Sequence, residues 1–211
     1  MSPERKGLFI AVVGPSGAGK DTLLARAADQ LRDCHNISFA RRIITRPSDG
    51  LTEDHDSLDT PSFLAAENCG EFCLSWEAHG LFYGLPKSIS EDVAAGHVVV
   101  ANMSRRALET AARLFGAIDL IEITARPELL LKRLAARGRE TPDEISNRVK
   151  RRAALAIPEN TTEYLQIDNS GDVSVAVDEL SQHLRSRAAI VALTKQAPFS
   201  LRCGSMTPGP I

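Results

Sequence analysis

Residues 8–22 read Leu-Phe-Ile-Ala-Val-Val-Gly-Pro-Ser-Gly-Ala-Gly-Lys-Asp-Thr, and the fold is decided there. Leu8–Val13 is a short, continuous apolar run ending at a glycine, the pattern of a strand buried in a parallel sheet. Leu23, Leu24, Ala27, Ala28 and Leu31 then recur at helical spacing and predict a helix from Lys20 to about Arg32. Between the two, Gly14-Pro15-Ser16-Gly17-Ala18-Gly19-Lys20 fits GxxxxGK. Glycines let such a loop curl until its N–H groups face phosphate oxygens. The helix start adds its positive dipole end, and the Lys20 ammonium can reach the outer phosphates. Gly14, Pro15, Ser16, Gly17, Ala18, Gly19, Lys20, Asp21 and Thr22 are therefore candidate nucleotide-binding residues. The pattern asks for Ser or Thr after the lysine, to place a hydroxyl on Mg²⁺; here Asp21 stands there and Thr22 follows. Magnesium prefers hard oxygens, so Asp21 is the candidate metal ligand, directly or through water. The plainer alternative is a carboxylate that complements the helix N-terminus.

Working outward, His97–Ala101 and Ile118–Thr124 are further buried-strand runs, each followed by helical spacing, over Arg105–Phe115 and Glu128–Arg137. Tyr164–Ile167 predicts a last short strand and Val173–Arg187 a last helix. Strands alternating with helices give an α/β domain with a largely parallel sheet. The stretch from about 41 to 84 breaks that rhythm. It offers a short strand over Arg41–Thr45, a helix with Thr60 as N-cap before Pro61, and two close strands, Phe72–Trp76 and Leu81–Tyr83, joined around His79-Gly80. This is an inserted lobe. Pro86 is expected to open a helix that Gly96 stops. A helix is expected from Asp143 to about Ala156, and Gly138 marks the turn before it. The region 136–152 carries Arg137, Arg139, Arg148, Lys150, Arg151 and Arg152, the composition of a helical lid closing on phosphate. A solvated basic face or an RNA-binding patch are the alternatives. After Ala188 the periodicity fades, so 1–190 reads as one domain and 191–211 as a mobile tail.

Composition narrows the partners. Of 211 residues, 25 are Lys or Arg and 27 Asp or Glu, a formal net charge of −2, which gives no global field for polynucleotides or anionic membranes. No apolar run is long enough to span a bilayer, and the start, Met1 to Lys6, lacks the cleavage site of a signal peptide, so a cytoplasmic protein is expected. The four cysteines, Cys34, Cys69, Cys73 and Cys203, have neither zinc nor disulfide-framework spacing. Nothing in the sequence fixes an oligomeric state.

Gly14–Thr22, the Thr45-Arg46-Pro47 turn, Tyr83-Gly84, the run His97–Ala101, and Arg133-Leu134 through Arg137-Gly138 to Arg148 together resemble the guanylate kinase family of P-loop nucleoside-monophosphate kinases. The likeness is collinear over about residues 7–187. It implies a P-loop NTPase fold, with a parallel core sheet flanked by helices, a small acceptor-binding lobe over about 41–84 and a lid over about 136–152. It also implies ATP and Mg²⁺ as cofactors, with Lys20, Arg137 and Arg148 as catalytic cations. The acceptor pocket departs from that family. Where it places base-reading carboxylates, this chain has Leu74, Asn102 and Ser104, and Asp49 stands where the family's turn has its second arginine. Guanine's N1 and N2 donors would go unpaired, a loss of about 1–3 kcal/mol each.

The variant residues Lys20-Asp21-Thr22, Glu53-Asp54-His55, Trp76 to Gly84, Asn102-Met103-Ser104-Arg105 and Arg137 to Glu140 resemble the kinases of this superfamily that act on ribose 1,5-bisphosphate. That resemblance implies ATP-dependent formation of 5-phosphoribosyl 1-diphosphate within phosphonate breakdown. A small phosphorylated sugar is then the expected partner, with no nucleic acid and no membrane. Arg46, Arg105 and Arg139 are candidate phosphate ligands, and Tyr83, next to Phe82, falls in the family's phosphate-contacting region. His55, His79, Asn102 and Ser104 are the remaining acceptor candidates. A guanylate-kinase-like nucleotide kinase and a non-catalytic binding module are the alternatives.

Overall fold

The computed structural model describes residues 7–46, 55–78, 80–136 and 155–196. Its core is a five-stranded, wholly parallel sheet in the order β2-β7-β1-β8-β9. β1 is Leu8–Val13, β2 Ile37–Phe39, β7 Val98–Asn102, β8 Ile118–Thr124 and β9 Thr161–Asp168. Every residue of β1 is buried, as its unbroken apolar run requires of a central strand. Alternation sends Ile10, Val12, Val100, Ile121 and Ile123 to one face. There they pack on Leu23 and Ala27 of α1 (Lys20–Gln30) and Leu180 and Leu184 of α6 (Val173–Gln196). Phe9, Ala11, Val99, Ala101 and Leu120 go to the other face, against Leu108 and Ala111 of α4 (Leu108–Phe115), which a single 3-10 turn, Arg105–Ala107, precedes. Fully burying such side chains contributes about 1.5–3 kcal/mol each, which leaves the carboxyl edge of the sheet able to carry polar groups.

The inserted lobe is a second sheet, ordered β4-β3-β6-β5. β3 (Ile43–Ile44) and β5 (Phe72–Ala78) both run antiparallel to β6 (Leu81–Pro86), and β4 (Asp56–Ser57) runs parallel to β3. Between β4 and β5 lies α2 (Thr60–Asn68); α3 (Ser88–Ala95) leads back to the core sheet, and α5 (Pro127–Ala136) follows β8. Leu74, Leu85 and Ile89 join the core cluster on the α4 face, so the lobe is fastened to that face of the core sheet.

Several boundaries differ from the sequence reading for visible reasons. Asp59, not Thr60, caps α2: its carboxylate accepts from Ser62 N at 2.8 Å, and Thr60 and Pro61 form the first turn. Pro86 ends β6, and α3 begins two residues later at Ser88. β2 is three residues with no fully buried side chain, too short to give a period. α6 runs on to Gln196 rather than ending near Arg187, because buried Ala188 and half-buried Val191 continue the apolar spacing set by Leu184. Pro198, not fading periodicity, was the available stop signal. The expected lid over 136–152, except Ala136, lies outside the described residues, as does most of the expected Asp143–Ala156 helix. No helix among the described residues is long and apolar enough to cross a membrane.

Candidate active site

Gly14 to Gly19 join the end of β1 to α1 in a conformation only glycine tolerates at two crucial points. Gly14 has φ +150°, and a Cβ there would come within 2.2 Å of the Ile123 carbonyl oxygen. Gly19 has φ +90°, and its Cβ would meet the Asn169 side-chain amide at 2.4 Å. The loop is thus pressed against β8 on one side and the end of β9 on the other. Gly19 is also the N-cap of α1 and supplies no side-chain cap, so the first-turn amides keep their positive end toward the loop. Lys20 Nζ donates to Gly14 O at 2.9 Å and Pro15 O at 3.2 Å, which holds the ammonium across the loop's mouth.

Asp21 and Asn102, read separately as metal ligand and acceptor residue, are in direct contact. Asn102 Nδ2 donates to Asp21 Oδ1 at 2.6 Å. Asn102 is the last residue of β7, beside Val12 in the register, and is buried. Its Oδ1 is enclosed without a hydrogen-bond partner among the described residues. A carboxylate and an unsatisfied carboxamide oxygen side by side are hard donors and fit magnesium. Among the described residues no three His, Cys, Asp or Glu side chains cluster, so further ligands for such an ion would come from phosphate and water.

The acceptor candidates occupy two places. In the lobe, Arg46 stands at the end of a turn that three groups brace. Ser57 Oγ donates to Arg46 O at 2.8 Å, and His55 Nε2 lies 3.3 Å from the same oxygen. A carbonyl only accepts, so that ring nitrogen must carry the proton. Thr45 completes the brace, accepting from Phe82 N at 2.9 Å. His55 is buried, so its place is beneath Arg46. Tyr83 stacks on Trp76 with centroids 5.4 Å apart and planes within 5°, and the Arg42 guanidinium lies 5.4 Å above its ring. Phe82 turns to the opposite face and packs on Phe63 of α2, away from Tyr83 and Trp76. Leu74 is 5% exposed and belongs to the apolar core. Beyond β7, Ser104 caps the 3-10 turn through Arg106 N, and Arg105 Nη2 donates to Glu122 Oε1 at 3.3 Å. Arg137, Arg139, Arg148 and His79 lie outside the described residues.

Sequence reading missed two groups behind the loop. Asn169, buried after β9, donates to Ala18 O at 2.8 Å, and its own N–H bonds Thr124 O. Arg133 of α5 donates to Asn169 O at 3.0 Å and reaches the Gly17 and Ala18 carbonyls at 3.4 and 3.5 Å. Arg133 was visible as part of the segment Arg133-Leu134 that carries the family resemblance; Asn169 carried no local signal. A third omission, Glu122, was legible as one of two acids, with Asp119, within the buried run Ile118–Thr124.

A phosphate loop at the carboxyl end of the central strand, with an inserted lobe beside it, defines a P-loop kinase of guanylate-kinase-like fold. Guanylate kinase from Anaplasma phagocytophilum shares that fold at a TM-score of 0.61 over 88% of each chain, with 21% identity. Sequence relatives narrow the class: the chain belongs to the ribose 1,5-bisphosphate phosphokinase family. It is 46% identical over 183 residues to the ribose 1,5-bisphosphate phosphokinase of Brucella melitensis, covering 87% of this chain and 94% of the relative. To that of Agrobacterium fabrum it is 42% identical over 180 residues, 85% of this chain and 97% of the relative. A bifunctional ribose 1,5-bisphosphokinase–thymidine phosphorylase of Azorhizobium caulinodans matches at 39% over 197 residues, covering 93% of this chain and 28% of that protein. No model of a known protein family matches the chain.

Proposed function

We propose that this chain transfers the γ-phosphoryl group of ATP to an oxygen of the 1-phosphate of ribose 1,5-bisphosphate, giving 5-phosphoribosyl 1-diphosphate and ADP. The observation that carries the reading is the 46% identity to a relative of that name across 87% of the chain. One P–O bond forms at the acceptor phosphate, and the bond between the β,γ-bridging oxygen and the γ-phosphorus breaks. The attacking oxygen is already anionic near neutral pH, so no general base is needed. Catalysis becomes positioning and charge neutralisation.

In that reading the amides of Gly14 to Gly19 cradle the phosphates, and Lys20 leaves the loop carbonyls for the transferring group. Asp21 and Asn102 would hold magnesium, which supplies charge neutralisation when bound. Arg133 and Asn169 keep the loop's shape from behind. Arg46 and Arg105 bind acceptor phosphates, with Tyr83 and His55 lining and bracing the lobe side. Arg137, Arg139 and Arg148 close from the lid. The kinase domain extends to the end of α6 at Gln196. ATP use and the free thiols of Cys34, Cys69 and Cys73 fit a cytoplasmic enzyme.

The test offers ATP and magnesium with ribose 1,5-bisphosphate and GMP together. The diphosphorylated sugar should accumulate, with GMP poorer by about 100-fold, since apolar Leu74 and the Asn102 and Ser104 positions leave guanine's donors without carboxylates. GDP accumulating without the diphosphorylated sugar would replace this assignment with a guanylate kinase.

A further inference from the structure

A carboxylate on a core strand carries a desolvation cost that its partners must offset. Glu122 is such a group, with a side chain 12% exposed. Its backbone pairs with Val13, the last residue before the phosphate loop. Its two oxygens have divided tasks. Oε2 accepts from Tyr164 Oη at 2.9 Å and Gln166 Nε2 at 3.1 Å, both from β9, while Oε1 accepts from Arg105 Nη2 at 3.3 Å. Burial, with the Glu122 hydrogen bond and charge, raises the Tyr164 phenol above its ordinary pKa, so it stays protonated and donates. β1 lies between β7 and β8, so the ion pair between Arg105 and Glu122 crosses β1 at its carboxyl end, where the phosphate loop begins.

We infer that Glu122, steadied by Tyr164 and Gln166, is a positioning residue that fixes the Arg105 guanidinium for the acceptor's phosphate. This rests on the reading of Arg105 as an acceptor ligand. Arginine has considerable rotamer freedom to lose, and its planar fork recognises phosphate only in a defined orientation. A carboxylate on one edge sets the plane of the fork before substrate arrives. The arrangement gives up some positive charge for that order. Position rather than bare charge is therefore what Glu122 supplies.

The experiment is a double-mutant cycle on the full chain, with melting temperatures taken alongside. Arg105→Ala should raise the KM for ribose 1,5-bisphosphate; an unchanged value would remove the acceptor-ligand reading itself. Given that rise, Glu122→Gln should raise the same KM by about 10-fold, leaving kcat and the KM for ATP within about 2-fold. Combined with Arg105→Ala it should add nothing, because it acts through Arg105. Tyr164→Phe keeps the carboxylate and removes one donor, so about a 3-fold rise is expected, also lost in the Arg105→Ala background. It carries the cycle if Glu122→Gln does not fold. A lower melting temperature with an unchanged acceptor KM, a tighter acceptor, or additive effects in the double variant would overturn the inference.

Discussion

Asp119 and Glu122 stand three residues apart on β8, face opposite sides of the sheet, and have unlike company. Asp119 is fully enclosed, toward the amino end of the strand. Arg187 of α6 donates to it from Nε at 2.6 Å and Nη2 at 3.3 Å, and Thr162 Oγ1 at 2.6 Å. Glu122 lies beside the last residue of β1 and meets Arg105 from the turn after β7. Both are buried, hydrogen-bonded acids, so neither burial nor partner count separates a fastening from a functional group. Place does. In a parallel α/β sheet ligands gather outside the carboxyl ends of the strands, and three residues at about 3.3 Å each separate the two acids by about 10 Å along β8. Asp119 ties the last helix to the sheet, whereas Glu122 lies at the edge where the phosphate loop begins.

The largest expected effect sharpens that division. Lys20→Ala removes the cation nearest the loop and should lower kcat by about 10³-fold, as loss of a preorganised charge at a phosphoryl centre does. The melting temperature should stay close to that of the parent, because Lys20 is a partly exposed side chain whose ammonium donates to the Gly14 and Pro15 carbonyls of its own loop. Normal turnover in the folded variant would remove the phosphate-loop reading. At the other end, Arg187→Ala strands the Asp119 charge in the interior and should cost about 3 kcal/mol of stability. Below its melting transition, the variant should keep both KM values. A denaturant titration with kinetics on the folded fraction checks this, and a shifted acceptor KM would break the separation of the two ends.

How far each end could be read from sequence follows from the range of the interactions. The phosphate loop is local: strand, glycines, lysine and helix lie within residues 8–32, so fold and nucleotide site emerged together. The contact between Asp21 and Asn102 spans 81 positions, and that between Arg105 and Glu122 spans 17, and no period in a single chain encodes either. Asn102 was therefore assigned to the acceptor alone, though its amide lies on Asp21. The lobe was legible as an insertion because short strands interrupt the α/β rhythm. Which faces Phe82 and Tyr83 take was not legible, because it depends on the pairing of Tyr83 with Trp76 across two strands.

The smallest expected effect probes the Asp119 end by pH. His183 lies on α6 one turn before Arg187, half-buried, with Nε2 enclosed and without a hydrogen-bond partner among the described residues. Burial lowers its pKa below the ordinary value. Asp119 pulls it upward, Arg187 pushes it down, and Glu163 and Glu179 pull it upward, leaving a net depression. A histidine depressed in the folded state is the better proton acceptor once unfolded, so between its folded and unfolded pKa values the unfolded chain binds more protons. Its contribution to stability is then complete above the unfolded value of about 6.5 and declines as pH falls below it. His183→Gln cannot titrate, so its urea midpoint should fall less than the parent's between pH 8 and pH 5.5, while the KM values stay unchanged at either pH relative to the parent. If parent and variant lose stability with the same slope, His183 does not titrate with folding. A parent that gains stability on acidification relative to the variant would mean that Asp119 outweighs burial and the sign is reversed.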